Sequence, residues 1–180
     1  MSLETINYLL ALAVMILQVL TVGFLAVFFL HKKIPDLQGI ANFLSKQGLW
    51  IAFVLSLAAS AMSLVYSDIL GIAACIMCWW QRIALYPLVV ILGIAAWRKE
   101  RTASALSTIT LSIIGGGIAL YQHFLQIGVT SAAPCNAIPG TDCGARFLFE
   151  LGYITFPLMA VSIFAALIVL MLFVMRKPSA

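Results

Sequence analysis

The sequence predicts an all-α membrane protein with five transmembrane spans. Three observations carry that prediction. Hydrophobic residues make up 64% of the 180 residues and charged residues only 9%, whereas about a quarter of a soluble domain is charged. The apolar residues fall in runs near the length of about 20 that a helix needs to cross the hydrocarbon core. Basic residues cluster at alternate ends of those runs: Lys32, Lys33, Lys46, Arg98, Lys99, Arg101, Arg176 and Lys177 fall on one side, Arg82 and Arg146 on the other. That asymmetry marks the cytoplasmic face. The net charge of +4 comes with no basic stripe, which argues against a nucleic-acid partner.

Residues 6–30 form the first run. A cleaved signal peptide would carry its positive charge ahead of a shorter apolar stretch; here the early charge is Glu4 and the lysines follow the run. A retained helix is expected, with its N-terminus outside. Residues 32–48, interrupted by Pro35, Asp36, Gly39 and Lys46, read as a cytoplasmic connector with a short interfacial helix in its middle. The second span is expected at 49–66, with Trp50 and Tyr66 at headgroup depth. A small outer loop at 67–71 leads to a third span at 76–97. The fourth, at 103–127, contains Gly115, Gly116 and Gly117, which either allow close helix packing or weaken the helix locally. Residues 128–150 make the one sizeable outer loop, and a fifth span at 154–175 ends in a cytoplasmic tail.

All four cysteines fall on the outer, oxidising side, as the pairs Cys75/Cys78 and Cys135/Cys143. If residues 75–82 are helical, offsets of three and four put Cys75, Cys78 and Arg82 on one face. A nearby cation favours the thiolate, the form that attacks a disulfide or gives up electrons. Two other readings compete. Two static disulfides could tie the loops of a non-enzymatic membrane scaffold, although a Cys-x-x-Cys ring is so small that loop-closure theory assigns it little stabilisation. Four thiolates could also hold zinc, but bulky aromatics follow Cys78 in place of tight turns. Neither reading gives Arg82 a purpose; transfer of electrons to a membrane-soluble oxidant does. No metal is expected.

The run Cys75-Ile76-Met77-Cys78-Trp79-Trp80-Gln81-Arg82, followed by Ile83-Ala84-Leu85-Tyr86-Pro87, resembles the signature of the disulfide bond formation protein B family (DsbB) and its BdbC-type relatives. Tyr121-Gln122-His123 is similar to the family's Tyr-x-His. Asp142-Cys143, Leu151-Gly152 and Phe156-Pro157 are similar to the close of its second loop. The resemblance covers residue 49 to the C-terminus. It implies a four-helix transmembrane bundle plus one additional N-terminal transmembrane helix, in three parts: the extra helix at 1–31, a connector at 32–48 and a DsbB-like four-helix bundle at 49–180. It also implies a multi-pass protein of the bacterial cytoplasmic membrane that oxidises thiols at the expense of a quinone, ubiquinone or menaquinone. The partner so implied is a DsbA-like thioredoxin-fold protein that meets Cys135 and Cys143, with Cys75 and Cys78 next to the quinone. Arg82 and His123 are the implied quinone-side groups, and a neutral imidazole can donate a hydrogen bond to a quinone oxygen. This sequence carries Gln81 where many members have Glu, and its second loop is shorter. Because the resemblance starts near Leu49, quinone reduction is expected to survive removal of residues 1–31. Trp79, Trp80 and Tyr86 read as interface anchors, and Asp68, Asp142, Arg146 and Glu150 as solvated loop charges.

Overall fold

The computed structural model describes residues 3–129, 143–146 and 148–176. Five helices follow one another: α1 (Leu3–Leu30), α2 (Leu37–Leu64), α3 (Ile76–Arg98), α4 (Thr102–Gln126) and α5 (Phe156–Met175). All five are long and apolar enough to cross a membrane. Cys135, Asp142 and Lys177 lie outside the described residues.

The second helix starts earlier than its hydropathy suggests. Helical backbone begins at Leu37, just past Pro35 and Asp36, so most of the stretch read as a connector forms the first turns of α2. Packing explains the continuity. Ala41, Leu44, Ser45, Gly48, Leu49 and Ala52 are buried at helical spacing, and tertiary contact overrides the weak propensity of Gly39 and Gly48. A methyl group at Gly48 would lie 2.7 Å from Val174 Cγ2, so this glycine brings α2 against α5. At its other end α2 widens into a π-helical turn, Val65–Ile69, and Ile72 N–H closes it on Tyr66 O at 3.0 Å.

The ends of the other helices have identifiable causes. Cys75 is the N-cap of α3, with extended backbone and a sulfur that accepts the Cys78 N–H. Lys99 stops that helix in the left-handed conformation, φ 58°. Thr155 caps α5, its Oγ1 accepting the Leu158 N–H at 3.4 Å, and Pro157 occupies the first turn, where no N–H is required. Arg146, expected as a solvated charge, instead donates from Nε to Gln126 O in the last turn of α4. A cation there answers the unpaired carbonyls and the negative helix end.

The helix α5 is the hub, packed on by α1, α2 and α4. The main core runs through Leu88, Leu92, Phe164, Leu167, Leu170 and Phe173. Gly115 settles what the glycine run does at its centre. A Cβ there would collide with the Phe164 ring and stand 2.9 Å from Ala84 Cβ, so α3, α4 and α5 meet at the missing side chain. Gly115→Val is expected to cost about 1–3 kcal/mol through overpacking, whereas Gly117→Ala, with nothing within 4 Å, should be neutral or stabilising by up to about 1 kcal/mol. Thermal unfolding of the two variants in detergent checks this, and equal midpoints would remove the close-packing role from Gly115.

The first helix does not stand apart. Ala11 and Val14 are buried in one cluster with Leu148, Ile154 and Met159, and the Phe28 ring meets Phe173 edge-on at 5.3 Å. At the end opposite the cysteines, Ser45 O accepts from Arg101 Nη2, and Ser45 Oγ donates to Arg176 O at 3.1 Å. The cationic segments thus gather at one end of the bundle.

Candidate active site

At the other end, Cys75 and Cys78 occupy the first turn of α3. Their sulfurs lie 2.9 Å apart, so closing a bond of about 2.05 Å asks for only a small movement. Both are free thiols, and Cys75 is buried. Cys75 Sγ also accepts the Cys78 N–H at 3.3 Å. The Cys75 thiol is held well above the ordinary thiol range, first by its hydrogen bond with Cys78 and then by burial. A pair that shares a proton gives up the second one reluctantly.

Two glutamines hold the pair. Gln122 Nε2, from α4, donates to Cys75 Sγ at 3.2 Å and reaches Cys78 Sγ at 3.7 Å. Gln81 Nε2, from α3, donates to Gln122 Oε1 at 2.7 Å. An amide has one acceptor and one donor end. By occupying the acceptor end, Gln81 turns the donor end of Gln122 toward the sulfurs. Gln122 is 2% exposed and Gln81 9%, which leaves water little access to compete for these bonds. Gln126, one turn further along α4, donates to Cys143 O at 3.4 Å and Ala145 O at 3.1 Å, so it ties the second loop to the same helix. Its Oε1 is buried without a hydrogen-bond partner among the described residues.

Of the residues singled out in the sequence, Cys75, Cys78 and Arg82 line one cavity of about 480 Å³, together with Gln81, Gln122 and Gln126. The rest of its wall is mostly aliphatic and aromatic. Arg82 is buried, and its guanidinium turns toward α2, with Nε to Ser63 Oγ and Nη2 to Ser63 O, both 2.8 Å, and the Trp79 ring 5.2 Å away. The helical offset puts Arg82 on the expected face, but a long side chain chooses its own partners. Ser63 therefore joins the site, and Trp79 supports the cation as well as facing outward. His123 is not on the cavity wall. Its Nδ1 lies 2.9 Å from Thr155 Oγ1, the cap of α5, because one step along α4 from Gln122 turns the side chain by about 100°. Cys143 is disulfide-bonded and 1% exposed, and it packs in one cluster with Cys75 and Met77. Among the described residues no group of three or more His, Cys, Asp or Glu is placed to hold a metal.

Fold and site define a class: a multi-pass membrane protein whose helix bundle presents a dithiol to an apolar cavity, with a third, disulfide-bonded cysteine packed beside it. Comparison with known proteins narrows it. The family model for disulfide bond formation protein DsbB matches residues 45–174, and the chain belongs to that family. It is 40% identical over 120 residues to a probable disulfide formation protein of Chlamydia trachomatis serovar D, covering 66% of this chain and 85% of that protein. It is 34% identical over 126 residues to disulfide bond formation protein C of Bacillus subtilis, covering 68% and 88%. It is 38% identical over 116 residues to an SPbeta prophage-derived disulfide bond formation protein B of the same organism, covering 64% and 76%. No solved structure matches the chain. Family membership supports disulfide bond formation, through thiol oxidoreductase chemistry on a thiol partner.

Proposed function

We propose that the protein is a quinone-dependent thiol oxidase of the bacterial cytoplasmic membrane that reoxidises a DsbA-like thioredoxin-fold partner. The observation that carries this reading is the position of the free dithiol Cys75/Cys78 on the wall of an apolar cavity. A bridge used only as a staple has no need of one. The charge asymmetry favours an orientation with the N-terminus and the cysteine loops outside and the C-terminus in the cytoplasm.

The cavity suits a quinone. Its volume of about 480 Å³ falls in the range of about 300–1,000 Å³ usual for small-molecule sites, and its apolar lining suits a hydrocarbon tail. Arg82 offers a donor to a ring oxygen, and Oε1 of Gln126, with no hydrogen-bond partner among the described residues, suits a hydroxyl of the reduced form. A bound quinone supplies the acceptor for two electrons and two protons. The part of His123 in this reading is indirect: through Thr155 it holds the start of α5, which contributes Phe156 and Pro157 to the cavity.

The thiol steps balance as exchanges. A reduced partner thiolate attacks Cys135, its second thiol closes the partner's disulfide, and Cys135 and Cys143 are left as thiols. Cys143 then attacks Cys75 of the oxidised Cys75–Cys78 pair, which releases Cys78 as a thiolate. Cys135 resolves the Cys75–Cys143 bridge, restoring its own disulfide and leaving Cys75 and Cys78 reduced.

The test mixes purified protein with a reduced thioredoxin-fold dithiol protein and follows partner oxidation with and without a water-soluble quinone. Oxidation that depends on quinone, one disulfide per quinone consumed, is expected. Cysteines that never exchange would leave the static-disulfide scaffold as the better reading, and partner oxidation indifferent to quinone would remove the quinone from this one.

A further inference from the structure

The helix α1 forms one side of the dithiol cavity. Leu10, Ala13, Val14, Leu17 and Leu20 line it together with Cys75 and Cys78. These positions recur at three- and four-residue offsets and so make one stripe along the helix. The family match begins only at residue 45, so this wall is an addition to the part of the chain that the family model covers.

Polar side chains fix the helix in that place. Tyr66, from the end of α2, donates its hydroxyl to Asn7 Oδ1 at 2.6 Å. Gln18 Nε2 donates to Ser162 Oγ of α5 at 2.8 Å, and Tyr153 donates its hydroxyl to Gln18 Oε1 at 3.0 Å. Asn7, Ala11, Val14 and Gln18 follow a 4-3-4 spacing and make the docking seam, beside the cavity stripe and sharing Val14 with it. Apolar surface alone cannot place a helix in a bilayer, since lipid tails are as apolar as leucine; small residues and interhelical hydrogen bonds can. The amides of Asn7 and Gln18 also hold partners that lipid could not offer.

We propose that α1 is the wall against which the hydrocarbon tail of the lipid-soluble acceptor lies, so that this helix sets the affinity and tail preference of the acceptor site. The inference rests on the quinone reading above and deepens it. Thiol exchange between the two cysteine pairs is carried by sulfurs on α3 and the second loop, and α1 contributes no reacting group to it. Changes on α1 therefore alter use of the acceptor and leave exchange alone.

The experiment uses the full-length protein with Ala13→Trp, which fills the cavity, Leu17→Ala, which enlarges it, and Val22→Trp, a lipid-facing control that is 69% exposed and not on the cavity wall. Ala13→Trp is expected to raise KM for a long-tailed quinone about tenfold, the size of effect that about 1.4 kcal/mol of overpacking gives. It should act less on a quinone with no tail. Leu17→Ala should weaken discrimination between the two, and Val22→Trp should do neither. Single-turnover exchange from reduced partner to the Cys75–Cys78 pair, measured without quinone by alkylation, should be the same in all. Wild-type protein irradiated with a quinone bearing a photoreactive tail should carry the label within residues 10–20, and excess unlabelled quinone should suppress it, an arm that needs no variant to fold. Equal KM values for Ala13→Trp and Val22→Trp, labelling confined to α3–α5, or labelling that quinone does not compete would overturn the proposal. Wild-type protein without quinone-dependent turnover would instead overturn the functional reading beneath it.

Discussion

Cys78→Ser is expected to abolish quinone-dependent turnover and to accumulate a Cys75–Cys143 disulfide. Both cysteines line the cavity, and Cys75 is buried in one cluster with Cys143, against which Cys78 packs partly buried. The proposed order assigns Cys78, one turn from Arg82 on the same helix face, to the acceptor and Cys75 to the second loop. With Cys78 gone, the Cys75–Cys78 bond that would pass two electrons to the acceptor cannot form. Cys75 can still attack Cys143, taking over its disulfide and releasing Cys135 with the proton. Without Cys78 to reclaim Cys75, that bridge has only Cys135 to reverse it. Removing a resolving thiol traps mixed disulfides in this way. Cys143→Ser should by the same logic accumulate the partner joined to Cys135. Peptide mapping after acid quench reads both species, and a partner recovered on Cys75 or Cys78 would reverse the proposed order.

Much of this was legible in the sequence because hydropathy reports spans directly. The five apolar runs became five helices with ends within a few residues of expectation, except at α2, whose start depends on contacts with α5 that no local pattern reveals. The dithiol was legible from spacing alone. Its setting was not. Offsets along a helix place a backbone and not a rotamer, so they put Arg82 on the face of Cys78 without disclosing that Ser63, nineteen residues away, takes its hydrogen bonds. Gln122 passed as the middle residue of a motif, because its partner Gln81 is forty-one residues distant. One signal was available: Asn7, Gln18, Gln81, Gln122 and Gln126 are uncharged polar residues inside otherwise apolar spans. Such residues seldom face lipid. Each of the five is hydrogen-bonded to another helix or to the outer loops. Read that way, the amides outline both the site and the seam of α1.

Gln122→Leu is the second large effect expected, and it separates positioning of the sulfurs from mere packing. Leucine is one atom shorter than glutamine but comparable in volume, so packing of the cavity wall is largely kept. What is lost is the donor to Cys75 and Cys78, and Gln81 Nε2 is left facing a methyl group. An unsatisfied buried polar group of this kind costs about 1–3 kcal/mol. Donors to sulfur favour the reduced, thiolate-bearing pair over the disulfide, which has no charge to stabilise. Their loss should make the Cys75–Cys78 disulfide harder to reduce, lowering its midpoint potential by about 30 mV for each 1.4 kcal/mol lost. Electron transfer from Cys143 then slows, and turnover should fall about tenfold. Gln81→Leu should shift the potential in the same direction by less, since it frees Gln122 to turn without deleting its donor. The double variant should fall no further than Gln122→Leu, because Gln81 acts through Gln122 and their effects cannot add. Redox titration against glutathione, with the Cys75/Cys78 pair quantified by alkylation and mass spectrometry, reads the potential independently of turnover. A folded Gln122→Leu protein with an unshifted potential would reduce the glutamine pair to helix packing, whatever the variant's rate.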